Sequence, residues 1–188
     1  MATDTEIVNA ALSKLGEPRI TSFDDDTKSG RLANSTFSDI RDALLREFPW
    51  NFATTRAELA AEVTAPVWGF ARSFVLPPDY LRLIDVENPL RMPWRIESGR
   101  IVTDLEAPLQ IKYVRRVDSG EMDSTFREVL AARLALEWAE PLTAQSAIVD
   151  RMAAFYKEKL PVARASDGQE DHDATRKFDA SSWIESRW

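Results

Sequence analysis

The sequence contains no cysteine and only one histidine, His172. A chain without thiols forms no disulfides, zinc–thiolate sites or cysteine nucleophiles. A lone histidine between Asp171 and Asp173 could act as a base or ligand, but a solvated side chain explains it more simply. We find no P-loop, no dinucleotide-binding glycine pattern and no nucleophile elbow. We therefore expect no enzymatic activity, no catalytic residues, no cofactor and no bound metal.

Long apolar runs are also missing, since none approaches the roughly 20 residues of a membrane span. The start of the chain, MATDTEIVNAAL, is polar and acidic where a secretory signal would be basic and then apolar. We therefore expect a protein of the cytosol that has no membrane partner. The net charge of -7 argues against a nucleic-acid partner that is held by phosphate contacts.

Two helices are predicted at the start of the chain. Thr3 and Glu6 have capping-box spacing, and Gly16 is placed to end the first helix. Asp24, Asp25 and Asp26 suit the N-terminus of a second helix. They could instead bind Ca²⁺ or Mg²⁺, although they lack the alternating spacing of an EF-hand loop. The first helix has one apolar stripe, which consists of Ile7, Val8, Ala11, Leu12 and Leu15.

An aromatic cluster surrounds the proline that ends the second helix. Pro49 disfavours helical geometry at Phe48, and Trp50 and Phe52 follow. Large side chains at this exit can close the end of a helical bundle, so we interpret Phe48, Trp50 and Phe52 as a core cluster. Stacking against a ligand is the alternative. A third, short helix is predicted from Thr54 or Thr55 to Val63.

The middle of the chain changes to the two-residue period of strands. Ser98 and Gly99 form a candidate two-residue hairpin turn between WRIE and RIVTD. Lys112, Arg115 and Arg116 form a small basic patch, which we interpret as a subunit contact or a solvated strand end. The predicted strands are ARSFVL, YLRLIDV, WRIE, RIVTD and LQIKYV.

Helices return after residue 123. A second capping box at Thr125 and Glu128 predicts a helix that Pro141 ends, and another helix is predicted from Thr143 to Pro161. Helices, strands and helices in this order predict an α+β fold, in which N- and C-terminal helices form a bundle around a small antiparallel β domain. The predicted parts are residues 1–65, 66–120 and 121–164, followed by an extended partner-binding tail at 165–188.

The predicted tail is polar and acidic, yet it ends with large apolar residues. Such a segment is typical of chains that become ordered on a partner. It could instead fold back on its own domain. The candidate partner-binding residues are Phe178, Trp183, Ile184 and Trp188.

Several segments resemble the phage tail tubular protein A family of head-to-tail connectors. They read ALSKLGEPRITSFDDD at residues 11–26, RLANSTFSDIRDALLREFPWNFATTRAEL at 31–59 and LPPDYLR at 76–82. The likeness is good over residues 7–82 and weaker beyond. It implies a helical body with a β domain and a C-terminal segment that reaches toward the portal.

The resemblance also implies a function. It indicates a structural, typically dodecameric adaptor ring that sits under the portal protein of a tailed bacteriophage. Neighbouring copies form the ring, a downstream tail or nozzle protein docks on it, and DNA passes through without specific binding. The expected location is the neck or tail of the virion, after assembly in the host cytoplasm. The candidate partner-binding residues, Phe178, Trp183, Ile184 and Trp188, would dock on the portal or on a neighbouring subunit.

Two other functions stay open at this point. One is an assembly chaperone or monomeric cytosolic binding module that is absent from the finished particle. The other is an enzyme that uses carboxylates for acid catalysis, for which the only indication is the abundance of Asp and Glu.

Overall fold

A computed structural model describes residues 3–170. Within that range the fold is α+β, as predicted, with four helices and two antiparallel sheets of three strands each. The helices are α1 Asp4–Leu15, α2 Lys28–Glu47, α3 Ser124–Thr143 and α4 Ser146–Glu170. The strands are β1 Thr54–Leu59, β2 Arg72–Val75, β3 Tyr80–Val86, β4 Trp94–Glu97, β5 Arg100–Thr103 and β6 Leu109–Arg115.

The predicted caps of α1 are confirmed. The Glu6 amide donates to Thr3 Oγ1 at 3.2 Å, and the Thr3 amide donates to Glu6 Oε2 at 2.9 Å. Gly16 ends the helix with a φ of 77°, a left-handed conformation that glycine adopts without a steric penalty. All five residues of the predicted apolar stripe are buried.

The start of α2 differs from the prediction. Its N-cap is Thr27, whose hydroxyl accepts from the Gly30 amide at 3.0 Å, so the aspartates precede the helix. Asp25 folds back on Thr21 and accepts from its amide at 2.7 Å. A side chain at position 30 would meet the Asp25 carbonyl oxygen at 2.3 Å, which explains the glycine there. The helix ends before Pro49, as predicted.

The predicted third helix is wrong, because Thr54–Leu59 is strand β1. It pairs antiparallel with β6, from Thr54 opposite Val114 to Leu59 opposite Leu109. Ala, Glu and Leu favour helices locally, but the sequence TTRAEL also alternates with the period of a strand. Pairing with β6 decides between the two patterns, so the β domain begins near residue 54 rather than 66.

The two sheets have the strand orders β1-β6-β3 and β2-β5-β4. The predicted hairpin turn is confirmed: Ser98 and Gly99 have φ values of 50° and 75°, and both must be positive in a type I′ turn. Apolar side chains from both sheets share one core, which includes Leu59, Phe74, Ile101, Leu109, Ile111 and Tyr113.

The buried hydroxyl of Tyr113 makes the β domain sensitive to alkali. Burial and the hydrogen bond to Asp79, at 3.1 Å, raise the pKa of Tyr113 from 10.0 to about 12. The raised pKa adds stability that is complete below pH 10 and is lost as the pH rises toward 12. We expect the urea concentration at the unfolding midpoint to decrease as the pH rises from about 10 to about 12. The decrease should be smaller for the Tyr113→Phe variant than for the unmodified protein. Equal losses in both proteins would contradict this expectation.

The later helices extend further than their prolines predicted. Asp123, not Thr125, caps α3, which continues through Pro141 and ends at Ala144 with a φ of 53°. Likewise α4 continues through Pro161 to Glu170. Each proline removes one helical hydrogen bond, and tertiary packing compensates for that loss. Residues 165–170 of the predicted extended tail are therefore the last turns of a helix.

Contacts across the bundle hold these helices together. Trp138 of α3 donates its indole hydrogen to Thr36 of α2 at 3.0 Å. Near the end of α4, Ala163 is buried, and Asp167 bonds to Asn51: the Asn51 amide donates to Asp167 Oδ1 at 2.9 Å. The N- and C-terminal helices thus form one bundle, as predicted, with the β domain inserted between them.

Candidate functional site

Asp25 and Asp26, two of the aspartates that could bind a metal ion, contact other residues of the chain instead. Asp25 is bonded to Thr21, which lowers the pKa of the Asp25 carboxyl, and Asp26 pairs with Arg31. Among residues 3–170, no group of three or more His, Cys, Asp or Glu side chains is arranged to hold a metal ion. His172 lies outside the described residues.

The basic patch does not form one positive surface. Arg115 pairs with Glu121, and Arg116 pairs with Asp42 at 2.6 Å. The hydrogen bonds that the two arginines donate to these carboxylates raise the pKa of both guanidinium groups. Lys112 lines an open groove of about 510 Å³ on the first sheet. The groove has charges of both signs, from Arg56, Glu58, Asp85, Glu87 and Lys112. Phosphate recognition needs a surface of one sign, so this region does not favour DNA binding.

Trp50 of the aromatic cluster lies in the core of the bundle, and Phe48 and Phe52 are half-buried against it. Trp50 is only 1% exposed, and its indole hydrogen is donated to the Leu44 carbonyl at 3.2 Å. Its ring centroid lies 5.1 Å from Phe48, 6.3 Å from Phe52 and 4.9 Å from Phe126 of α3. These edge-on and stacked contacts fill the junction where α2 ends and α3 begins, so Trp50 offers no open face to a ligand.

The candidate partner residues Phe178, Trp183, Ile184 and Trp188 lie outside the described residues. Within residues 3–170, the helices lack the combined length and hydrophobicity that crossing a membrane requires.

An exposed apolar loop, which was not predicted from the sequence, connects β1 to β2. Trp68 is 86% exposed, and Val63 and Val67 are almost entirely exposed. The signal for it was present, because Val67 and Trp68 stand beside Pro66 and Gly69 in a stretch without strand or helix periodicity. Large apolar side chains in such a stretch have no element of their own to pack against.

Both ends of this loop are fixed to the second sheet. The Ser73 hydroxyl donates to Glu62 Oε2 at 2.5 Å, and Arg100 donates to the same oxygen at 2.9 Å. These two bonds lower the pKa of Glu62. At the other end, the Ala71 amide donates to Asp104 Oδ1 at 2.8 Å. The apolar residues therefore project from a base that is held in place.

The outer strand β4 adds a second exposed apolar surface. All four of its residues are exposed, and Trp94 and Ile96 keep 39% and 41% of their surface open to solvent. The sequence predicted this strand but not that it lies at the edge of a sheet. An edge strand has unpaired backbone groups that can bind another strand.

The chain matches no protein-family model, and no curated protein is significantly similar to it. The function is therefore inferred from the geometry of these surfaces and from the resemblance of several segments to the tail tubular protein A connectors.

Proposed function

We propose that the protein is a structural head-to-tail adaptor of a tailed bacteriophage. In this proposal copies of the chain form a dodecameric ring beneath the portal protein, extend the DNA channel and provide a docking surface for the next tail or nozzle protein. The resemblance of residues 7–82 to tail tubular protein A connectors is the starting point.

The exposed loop at residues 63–68 is the observation that carries the proposal. The hydrogen bonds at both ends of the loop keep Trp68, Val67 and Val63 exposed to water. Exposing apolar surface to water is unfavourable, and burial against a partner removes that cost in free energy. An assembly subunit needs such a surface, whereas a protein that works alone does not. The second apolar surface, on β4, gives the subunit more than one place for contact, as a ring component requires.

The distribution of charge supports a channel through which DNA slides. The chain carries a net charge of -7, and the cations of the basic patch are paired or lie beside carboxylates. Firm phosphate contacts would resist the passage of DNA, so a wall without a positive surface suits transit. We assign Phe178, Trp183, Ile184 and Trp188 to the contact with the portal or with a neighbouring subunit that touches it.

The copy number in purified phage particles tests this proposal. We expect quantitative mass spectrometry to find the chain at the stoichiometry of a ring, in a fixed ratio to the portal protein. Its absence from particles that contain portal and tail proteins would contradict an adaptor. That result would favour an assembly chaperone or a monomeric binding module.

A further inference from the structure

The β domain has four outer strands, β1 and β3 in the first sheet and β2 and β4 in the second. Two of them lie beside each other. Ala61, just beyond β1, bridges to Phe74 of β2, and the Glu62 amide donates to the Ser73 carbonyl at 2.8 Å. The edges of β1 and β2 therefore face each other, and neither is open to an added strand.

The outer edge of β3 is irregular and partly covered. Two register shifts, which are typical of β-bulges, interrupt its pairing with β6. The Leu83 amide donates to the Tyr80 hydroxyl at 3.0 Å, and Arg46 of α2 donates to the Leu81 carbonyl. Bulges and side chains that cover backbone groups protect an edge from strand addition, so β3 is not an open edge either.

Strand β4 has the open edge. Among residues 3–170, the backbone hydrogen bonds of residues 94–97 are those of its pairing with β5. In a two-residue hairpin the residues that flank the turn, here Glu97 and Arg100, exchange backbone bonds, and every second residue along the strand does the same. The backbone groups of Trp94 and Ile96 therefore point away from β5, which is the arrangement that accepts an added strand.

The apolar face of the second sheet continues to this edge without cover. Phe74 of β2, Ile101 of β5 and Ile96 of β4 are neighbours in the strand register, so they share one face. Phe74 and Ile101 are fully buried, whereas Ile96 is 41% exposed and Trp94, on the same face, is 39% exposed. A strand beside β4 with an apolar side chain opposite Ile96 would complete the burial of this face.

The other face of β4 has one charge of each sign, from Arg95 and Glu97. The nearby Arg100 pairs with Glu62 at 2.9 Å and not with Glu97. Within the part of the chain that the structure describes, neither Arg95 nor Glu97 makes an ion pair. If two copies of β4 pair antiparallel about Ile96, Arg95 of each copy lies opposite Glu97 of the other, and the two Ile96 side chains lie opposite each other. Strand β4 is therefore complementary to itself in both charge and apolar surface.

We propose that two copies of the chain associate through β4, which pairs antiparallel with β4 of the other copy in the register centred on Ile96. The pairing joins the second sheets of the two copies, of three strands each, into one continuous sheet. The contact is isologous and uses each open edge once, so association stops at a dimer. A ring is built from heterologous contacts, so this dimer is a form of the free chain and does not depend on the proposed ring. It covers an edge that would otherwise be open to aggregation.

A register centred on Arg95 is the competing arrangement. It would place Trp94 opposite Ile96 twice and would also pair the outward backbone groups. It would, however, place the two Arg95 side chains directly opposite each other, and like charges in that position destabilise a sheet. It would also leave Glu97 opposite Pro93 rather than opposite a cation. The register centred on Ile96 pairs both charges, so we favour it.

Cysteine cross-linking separates these registers, and the chain has no native cysteine to interfere. Arg95→Cys and Glu97→Cys are made as separate variants and oxidised in concentrated solution, alone and mixed. In the proposed register, positions 95 and 97 of opposite copies form a non-hydrogen-bonded pair, whose Cβ atoms are close enough for a disulfide. We expect dimers only in the mixture, where the second Arg95–Glu97 pair remains intact. Glu97→Cys mixed with Lys157→Cys, at an exposed position on α4, is the control and should not cross-link.

The other cross-linking outcomes count against the proposal. Dimers from Arg95→Cys alone would show the register centred on Arg95 and would overturn the one proposed. The absence of a cross-link in the mixture, together with a chain that stays monomeric at high concentration, would overturn β4 self-pairing and leave this edge for a strand of another protein.

Sedimentation of backbone and charge variants gives a second readout. Ile96→Pro removes the outward amide hydrogen, which makes no bond within the hairpin, and should weaken dimerisation by about tenfold or more. Ile96→Thr keeps the amide and should weaken it less, whereas an undiminished dimer of Ile96→Pro would contradict the proposal. A charge swap keeps the test decisive should the proline unfold the hairpin. Arg95→Glu should weaken dimerisation by about fivefold, and adding Glu97→Arg should restore it; failure to restore it would refute the register.

Discussion

Replacing Trp50 by alanine is expected to lower the free energy of unfolding by about 3–5 kcal/mol. The side chain is 1% exposed and lies against Phe48, Phe52 and Phe126, so its removal leaves a cavity where two helices meet. The substitution also removes the indole donor from the Leu44 carbonyl. The contact with Phe126 joins parts of the chain that are far apart in sequence, so that contact forms only in the folded state.

Chemical denaturation followed by circular dichroism measures this effect. Trp68→Ala is the matched control: it removes the same side chain from a position that is 86% exposed, and it should change stability by no more than about 0.5 kcal/mol. An unchanged midpoint for Trp50→Ala, together with lost assembly, would instead place the aromatic cluster at an interface.

Local sequence rules predicted the elements whose ends depend on a few neighbouring residues. The α1 caps at Thr3 and Gly16 and the turn at Ser98 and Gly99 are of this kind. Each of these backbone geometries requires a particular residue type, such as a hydrogen-bonding side chain at the start of a helix or a glycine where φ is positive. The required residues can be recognised within four positions of the sequence. The apolar alternation of β6 was also readable, because one of its faces is buried throughout.

The errors occurred where distant contacts override a local preference. Pro141 and Pro161 were read as helix ends, yet both helices continue. The structure supplies what the sequence does not display: a buried Ala163 and the bonds between Asp167 and Asn51, which lie 116 positions apart. The strand β1 was missed for the same reason, since its partner β6 begins 50 residues later.

The candidate surfaces were harder to predict than the fold. Trp94 and Trp68 look like core residues from composition, and exposure depends on which strand becomes an edge and which loop is left uncovered. The charged residues misled in the opposite direction, because they suggested a surface that the fold does not present. Lys112, Arg115 and Arg116 look like a patch in sequence, but Glu121 and Asp42 neutralise two of them from elsewhere in the fold.

Deleting residues 177–188 is expected to leave the folded body intact and to abolish incorporation into particles. The last buried residue of the described core is Ala163, so no side chain of that core is removed. The deletion does remove Phe178, Trp183, Ile184 and Trp188, and buried aromatic anchors of this type often cost about 2 kcal/mol or more each on truncation. Losing all of them in every copy of a ring should eliminate binding to the portal.

The helical end of α4 limits where those anchors can bind. Because α4 includes residues up to Glu170, at most residues 171–177 lie between this helix and Phe178, which is fewer than the polar run expected from the sequence. Phe178 is eight residues beyond Glu170, so the two Cα atoms are at most about 29 Å apart. The surface that Phe178 contacts should therefore lie within that distance of the end of α4, which cross-linking from Glu170 to the portal can check.

Two measurements on the same variants decide the role of the segment. Thermal unfolding of the purified chain should be unchanged by the deletion, and particles assembled with it should lack the protein. The matched control replaces Ser181, Ser182 and Ser186 by alanine, which keeps every large apolar residue and should leave incorporation normal. A lowered melting temperature would mean that the segment packs on its own domain. Particles that carry the truncated chain at full copy number, and retain their DNA, would refute its role as an anchor.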